Sequence, residues 1–504
     1  MKYSKILIII VTWNKEDYVI KLLESIKSIN YDKQYIDIIL IDNASTDNTV
    51  FSVSQAYPDV RILCNQENLG GTGGFNTGLQ WASEQPDGKY DYLWLLDNDV
   101  LVNKYALIEL VELLEKNRDA AIAGSSMMQL DYPWRINEIG SYYNKYNGQL
   151  IFNFHNMSIE RWKGTQVEEL LKLHSDLSDF IPDFKSYIDV DYVAAASMLV
   201  RADVAKKAGL WNDFFIHFDD VSWCLHIARM GYRVLASCRS LIWHTSAAAK
   251  VPTWVLYYDS RNALSVMQKY GEKGDSFYDA INYELKRAFY YALMGRMELA
   301  RIIIDGVDDF HNAIMGKKNI QLPPMFSHLK QSQSELPFML PHVKKILIPW
   351  TVNMLSTGLQ EILVRVIMQR PELEVDFLKI SGAPEIYQFP KAHFLELSSN
   401  KFFRYIAYWR LRNKYDLVLQ SDYERILPLS LIGGELMFLS NTNYCIRKSP
   451  DFSDLFAFYF REIVKRWKMK GIAGKLRDFF INIYFNHGLK YRLSSDLLSK
   501  KDGD

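Results

Sequence analysis

"DYLWLLDNDV", residues 91–100, decides the fold. Tyr92, Leu93, Trp94, Leu95 and Leu96 form an apolar run that stops abruptly at Asp97 and Asp99, with Asn98 between them. A short apolar run bounded by polar residues predicts a buried strand. Charges at the tip of such a strand must be solvated, paired or bound to a cation, so chemistry is expected at its end.

Working outward, residues 5–11 predict a first strand, and Val19, Leu22, Leu23, Ile26 and Ile29 then recur at helical spacing. "IDIILID" predicts a second strand, "DVRILC" a third and "DYLWLL" a fourth, with residues 78–83 as the body of the helix before it. Strands alternating with helices predict an α/β fold, a parallel-rich nucleotide-binding sheet with helices on both faces. Ligands of such sheets bind beyond the carboxyl ends of the strands. That rule selects Thr12, Asp42, Asn68, Asp97 and Asp99, one or two residues from each strand end. Asp and Asn also start turns and cap helices, and for "DNASTD" capping weighs as much as ligand contact. Recurrence at every strand end favours a site.

Three further patterns carry chemistry. Two carboxylates one residue apart can face a divalent ion, because oxygen ligands suit Mg²⁺ or Mn²⁺, although a lone DxD is weak evidence. "NLGGTGGFNTG", residues 68–78, clusters Gly70, Gly71, Gly73 and Gly74 between strand and helix. Glycines there would let backbone come close to a phosphate or sugar, but the spacing is neither a dinucleotide fingerprint nor a P-loop. In "FFIHFDDVSWCLHIARMGYRV", residues 214–234, Val221, Leu225 and Ala228 predict a helix with Asp219 and Asp220 in its first turn. The helix dipole accounts for one acid there; a second could be a general base. His244 closes a predicted strand in "LIWHTS" and could complete an Asp/His metal set.

The bulk numbers exclude some classes. Lys plus Arg equals Asp plus Glu at 59 each, so nucleic acid is not an expected partner. Four scattered cysteines with no CxxC argue against a zinc site or a disulfide framework and fit a reduced cytoplasm. The start, "MKYSKILIIIVTWNK", reads as a strand, since its apolar run is too short and lacks a cleavage site for a signal peptide. At 504 residues the chain predicts two or three domains. Residues 1–265 form the nucleotide-binding domain, with 130–185 as an insertion or acceptor lobe; 266–335 are helical segment and linker; 336–450 a small α/β domain; and 451–504 a helical tail. That tail interleaves Arg461, Lys465, Arg466, Lys468, Lys470, Lys475 and Arg477 with aromatics, a pattern suited to peripheral contact with an anionic membrane and equally to a solvated helix face.

These pieces in this order resemble an inverting glycosyltransferase of family 2 with the GT-A fold. The matching text is "ILIIIVTWNK", "IDIILIDNASTDNT", "NLGGTGGFNTGL", "YLWLLDNDV", "VDYVAAASMLVR", "GLWNDFFIHFDD" and "GYRVLASCRSLIWH", within about residues 4–265. It is most similar to bacterial galactofuranosyl- and rhamnosyltransferases of cell-surface polysaccharides such as O-antigen. The Gly-Gly-Phe segment, and the Asp-Asp pair followed later by Trp-His, look more like the galactofuranosyl branch. The resemblance implies a nucleotide-sugar donor such as UDP-galactofuranose, with dTDP-rhamnose as the alternative, a glycan or lipid-linked acceptor, and Mn²⁺ or Mg²⁺. It assigns Thr12 and Asp42 to the nucleoside, Asn68, the glycines and Asn76 to the donor pocket, and Asp97 to the ribose or sugar. Asp99 and His244 would bind the metal, Asp220 would be the base, and Asp219 would orient base or acceptor. Ser222, His226 and Ala195 stand where many members have Asp, Arg and Gly.

Two other classes were weighed. A nucleotidyltransferase would carry a basic glycine-rich loop after the first strand, where this chain has "TWNKEDY". A sugar-nucleotide-binding scaffold would have no use for both a base and a metal set.

Overall fold

The isoleucine-rich segment β1 (Ile6–Thr12) is buried along its whole length and sits inside the sheet around which the N-terminal half is built. The computed structural model describes residues 3–181, 184–245, 254–272, 275–320, 327–328, 342–350, 368–379, 393–398, 400–421, 431–439, 443–464 and 466. The chain divides into two units: residues 1–250, 258–280 and 306–319 form one, and 251–257, 281–305 and 320–504 the other.

In the first unit β1 pairs in parallel with β2 (Ile36–Asp42) and β4 (Tyr92–Asp97), and β2 with β3 (Arg61–Cys64). β5 (Val100–Val102), β6 (Ala120–Gln129) and the short β7 (Ile136–Glu138), β8 (Ser141–Tyr143) and β9 (Leu150–Phe152) follow. β10 (Tyr187–Val190), β11 (Ser197–Arg201) and β12 (Arg233–His244) complete the unit. The order β10-β12-β6-β11-β4-β1-β2-β3 is mixed rather than wholly parallel, because β11 runs antiparallel to both β4 and β6. This is a mixed, mostly parallel α/β sheet, and the four expected N-terminal strands all lie in it. Residues 130–185, expected to be irregular, hold the β8–β9 hairpin and short turns.

Helices α1 (Glu16–Lys27), α2 (Thr49–Ala56), α3 (Gly70–Ser83) and α4 (Ala106–Lys116) connect the strands. α1 buries Val19, Leu22, Leu23 and Ile26, the face that the spacing predicts. Further on lie α5 (Val167–Leu170), α6 (Ala202–Ala208), α7 (Asp219–Arg229), α8 (Val255–Tyr270), α9 (Asp275–Leu293) and α10 (Met297–His311).

α3 corrects an expectation. The glycine cluster is not a loop ahead of the helix; the helix starts at Gly70 and takes in all of Gly71, Gly73, Gly74 and Gly78. The reason is packing. A Cβ at Gly74 would lie 2.3 Å from Val11 Cγ1, and one at Gly78 would lie 2.4 Å from Ile9 Cγ2. Gly74 and Gly78 let α3 lie directly on β1.

The second unit carries a seven-stranded sheet, ordered β13-β19-β18-β17-β14-β15-β16, which agrees with an α/β region there. Its strands are β13 (Ser327–His328), β14 (Lys345–Trp350), β15 (Glu374–Lys379), β16 (His393–Glu396), β17 (Leu417–Ser421), β18 (Glu435–Leu439) and β19 (Asn443–Lys448). α11 (Lys401–Arg410) and α12 (Phe452–Phe458) accompany them. The helix expected in "GLQEILVRVIMQ", most of the linker and most of the basic tail lie outside the described residues. Among the described residues no helix is long and apolar enough to cross a membrane.

Gly78→Ala tests the packing account. In a helix interior alanine is favoured over glycine by roughly 0.5–1 kcal/mol. Overpacking at Ile9 should outweigh that, by about 1–3 kcal/mol. A lower urea midpoint is expected; an unchanged or raised one would contradict the packing role.

Candidate active site

Strand register builds the first half of the site. β4 ends on Asp97, the chain turns through Asn98 and Asp99, and β5 pairs antiparallel with β12 so that His244 faces Val100. His244 Nε2 therefore comes within 3.0 Å of Asp99 Oδ1. One donor atom from each of Asp97, Asp99 and His244 lies within 4.8 Å of the others. Two carboxylates and one imidazole form a hard-to-borderline donor set that fits Mn²⁺ or Mg²⁺. Asn98 Nδ2 donates to Thr12 Oγ1 at 2.9 Å and ties the acidic turn to β1.

Register also aligns the ends of β1, β2 and β4, since Thr12 pairs with Asp42 and Val11 with Asp97. Asp42 is buried; its Oδ2 accepts from Ser45 N at 2.9 Å, while Oδ1 is buried without a hydrogen-bond partner. A buried carboxylate oxygen left in that state is costly. In the same "DNASTD" segment capping holds for the other acid: Asp47 Oδ1 accepts from Thr49 N at 3.0 Å at the start of α2.

Not every residue expected at the donor reaches this edge. Asn68 Oδ1 accepts from Gly70 N at 2.8 Å, a cap for α3. Both ends of the Asn76 amide are engaged with the backbone of Trp211, at 3.0 Å and 2.8 Å. Gly73 and Gly74 face Leu69 and Val11, whereas Gly71 has open space where its Cβ would be. Gly70, at φ +73°, lies against the carbonyl of Phe215. These positions hold the helix that backs the site.

The acidic pair opens α7. Asp219 is buried, and its Oδ2 accepts from Thr72 Oγ1 on α3 at 2.6 Å. Asp220 Oδ2 accepts from Ala195 N at 3.2 Å and Oδ1 from Val221 N at 2.7 Å. Ala195 stands two residues before Ser197, which pairs with Leu96 beside Asp97, so both acidic clusters belong to one end of the sheet. Desolvation raises both carboxyls above the ordinary range, and the neighbouring Asp219 charge pushes Asp220 further up.

Sequence reasoning missed several neighbours. Buried Glu138 accepts from Ser141 Oγ at 3.1 Å; burial pushes it up to about 7, with the field of His244 opposing. Tyr192 has a buried hydroxyl beside the Ser141 side chain, and Glu138 and Asp220 act on it electrostatically. Their signal in sequence is slight: one acid in a three-residue strand and one tyrosine in an aromatic-rich stretch. At the opposite end of the strands a cavity of about 850 Å³ includes Arg201, Lys206 and Lys207. Those cations are engaged with backbone carbonyls, Asp87 and Asp203.

Residues 7–188 match the family model described as Glycosyl transferase family 2. This segment is similar to that family. No curated protein matches the chain. Among solved structures it is similar to the mannosyltransferase PcManGT from Pyrobaculum calidifontis in complex with GDP-Man and Mn²⁺, at 13% identity and TM-score 0.36, covering 61% of this chain and 76% of that one. It is also similar to GalNAc-T7 with UDP, GalNAc and Mn²⁺, at 12% identity and TM-score 0.39, covering 62% and 56%. TarS 1-349 of S. aureus in complex with UDP-GlcNAc gives 14% identity and TM-score 0.39, covering 62% and 81%. The chain thus spans little more than half of GalNAc-T7.

If the Asp97–Asp99–His244 set holds a metal, Asp99→Ala and His244→Ala should each weaken Mn²⁺ binding by about 10-fold or more, since even outer partners of metal ligands cost that much. Calorimetric titration of the full chain checks this; parent-like affinity in both variants would remove them as ligands.

Proposed function

We propose that the chain transfers galactofuranose from UDP-galactofuranose to a hydroxyl of a glycan or lipid-linked saccharide, with inversion. The observation that carries the reading is the meeting of two differently built acidic clusters at one end of the sheet. One is an Asp-Asp-His set with metal-ligand spacing. The other is a carboxylate whose surroundings raise its proton affinity. The first suits a diphosphate and the second a proton.

In this reading Asp220 takes the proton of the acceptor hydroxyl as its oxygen bonds to the anomeric carbon. The bond from that carbon to the diphosphate oxygen breaks on the opposite face, and the electron pair leaves with the nucleoside diphosphate. Asp220 is held by the amides of Ala195 and Val221, and the charge of Asp219, itself held by Thr72, raises its basicity. Asp97, Asp99 and His244 would hold Mn²⁺ or Mg²⁺, which when bound supplies charge neutralisation at the diphosphate. Asp42 Oδ1, buried and lacking a hydrogen-bond partner, suits an N–H or O–H of the nucleoside, and Thr12 lies beside it in the register. The donor sugar rests on a resemblance: the Gly-Gly-Phe segment, and the Asp-Asp pair followed later by Trp243-His244, look more like the galactofuranosyl branch.

For the tail we propose peripheral docking on an anionic membrane at the cytoplasmic face. In its described part Phe456 and Phe460 are exposed, with ring centroids 4.6 Å apart, and Arg461 follows. Pelleting with phosphatidylglycerol vesicles should be lost on deleting 455–504; equal pelleting of the shortened chain would remove this role.

The decisive experiment offers the purified chain UDP-galactofuranose, UDP-galactopyranose, UDP-glucose and dTDP-rhamnose with Mn²⁺ and reads nucleoside diphosphate release. A response to UDP-galactofuranose is expected, and one to dTDP-rhamnose alone moves the donor. Asp220→Asn should lower turnover by about 10²-fold or more while leaving UDP binding near the parent value. Because the base must be unprotonated, rate should climb with pH, with a midpoint well above the ordinary carboxylate value of about 4. Parent-like turnover in Asp220→Asn would take Asp220 out of the reaction.

A further inference from the structure

The segment before the acidic pair is strained. Phe215, His217 and Phe218 all adopt left-handed backbone, at φ 67°, 64° and 65°. For bulky residues that conformation costs on the order of 1–3 kcal/mol each, and it persists only when surroundings impose it. Phe218 immediately precedes α7, so the path of this segment sets where Asp219 and Asp220 begin.

What imposes it is a polar patch on α8, "DSRN", residues 259–262. Arg261 and Asn262 are fully buried. The two N–H groups of Asn262 Nδ2 are shared among three converging carbonyls, Phe214 O at 3.2 Å, Ile216 O at 2.8 Å and His217 O at 3.0 Å. Arg261 donates to Phe214 O at 3.0 Å and to Gly316 O at 2.8 Å, and its Nε donates to Asn262 Oδ1 at 3.0 Å. Asp259 Oδ1 meets His217 Nδ1 at 2.6 Å. On the other side Phe215 O accepts from Thr72 N at 3.1 Å, and the adjoining Gly70 has no Cβ to push it away. A run of left-handed residues turns successive carbonyls inward, and only a short two-donor amide with an acceptor for Arg261 answers them all. Aspartate would turn a negative oxygen on the carbonyls, and leucine would leave them buried without donors.

We infer that Arg261 and Asn262 are positioning residues: they clamp the left-handed segment 214–218 and thereby place the Asp219–Asp220 pair against Ala195 and Thr72. The inference deepens the proposed reaction and rests on its reading of Asp220 as base, but the placement is measurable without turnover. The groups acting on Asp220 are Asp219 on its own helix and Glu138 on β7, while its charge acts in turn on Tyr192, Cys224 and His217. Held in this setting, Asp220 is disfavoured as a charge, so it lowers stability increasingly as pH rises above the unfolded carboxylate value of about 4. Replacing it with Asn should therefore become more stabilising from pH 5 to pH 9.

The test is a melting-temperature cycle on the full chain. In the parent, the gain from Asp220→Asn should grow by at least about 3 °C across that range. In an Asn262→Ala background the carboxylate moves toward water and the growth should vanish. Asn262→Ser, which keeps one donor, is run in parallel in case the alanine variant does not fold. Adding Phe218→Gly, which suits the left-handed backbone, should restore the growth, a rescue that a general loss of stability would not show. The same growth in the Asn262 background, or no recovery with glycine, would overturn the clamp. Turnover by Asp220→Asn separately decides the base: activity there with a normal cycle would sink the base and leave the clamp standing.

Discussion

The close approach of α3 to β1 is the constraint on which the rest of the site depends. Gly74 and Gly78 remove the side chains that would keep the helix off Val11 and Ile9. Once it is seated, its N-terminal turn brings Thr72 within reach of Asp219 and Gly70 against Phe215. The acidic pair is thus located by a helix that follows β3, by a segment clamped from α8, and by Ala195 just before β11. A helix standing a side chain's thickness farther out would leave Asp219 buried without its hydroxyl donor, which costs about 1–3 kcal/mol.

The two halves of the site are positioned by different physics. Asp97 and His244 end β4 and β12, and Asp99 directly precedes β5, whose pairing with β12 brings His244 opposite Val100. Such a frame suits groups that must share one ligand. Asp219 and Asp220 instead hang on a helix start whose approach is non-repetitive, so side-chain hydrogen bonds hold it in place of a ladder. Desolvation then keeps their proton affinity high, which a strand tip open to water would not do.

The sequence made the ladder-built half legible and the clamped half only partly so. The apolar runs ending in Thr12, Asp42 and Asp97 declare both strand and edge, because period and termination are local signals. His244 could be offered for an Asp/His metal set from its place at a strand end, but only the resemblance tied it to Asp99, since nothing local tells which distant strand β5 will join. Glycine was read for what it permits near a ligand, when in α3 it serves what the helix must lie against; composition cannot separate the two. Asn76 looked like a pocket residue and is a staple to Trp211. Arg261 and Asn262 were visible as polar residues in an otherwise core-facing helix, but their partners are backbone carbonyls 45 to 55 residues away in sequence, which no side-chain pattern announces.

Local costs concentrate where ligands would act. One end of the sheet carries a raised carboxylate pair, three left-handed residues and a buried Asp42 oxygen without a hydrogen-bond partner, while the strand interiors behind it are continuous apolar core. Since whole-domain stability is only about 5–15 kcal/mol, that end cannot hold itself; the buried strands must carry it. The strand interiors supply the cohesion and the strand ends carry the polar groups, so a buried carboxylate on β2 and an Asp-Asp-His set with metal-ligand spacing can coexist at one edge without the apolar core between them being interrupted.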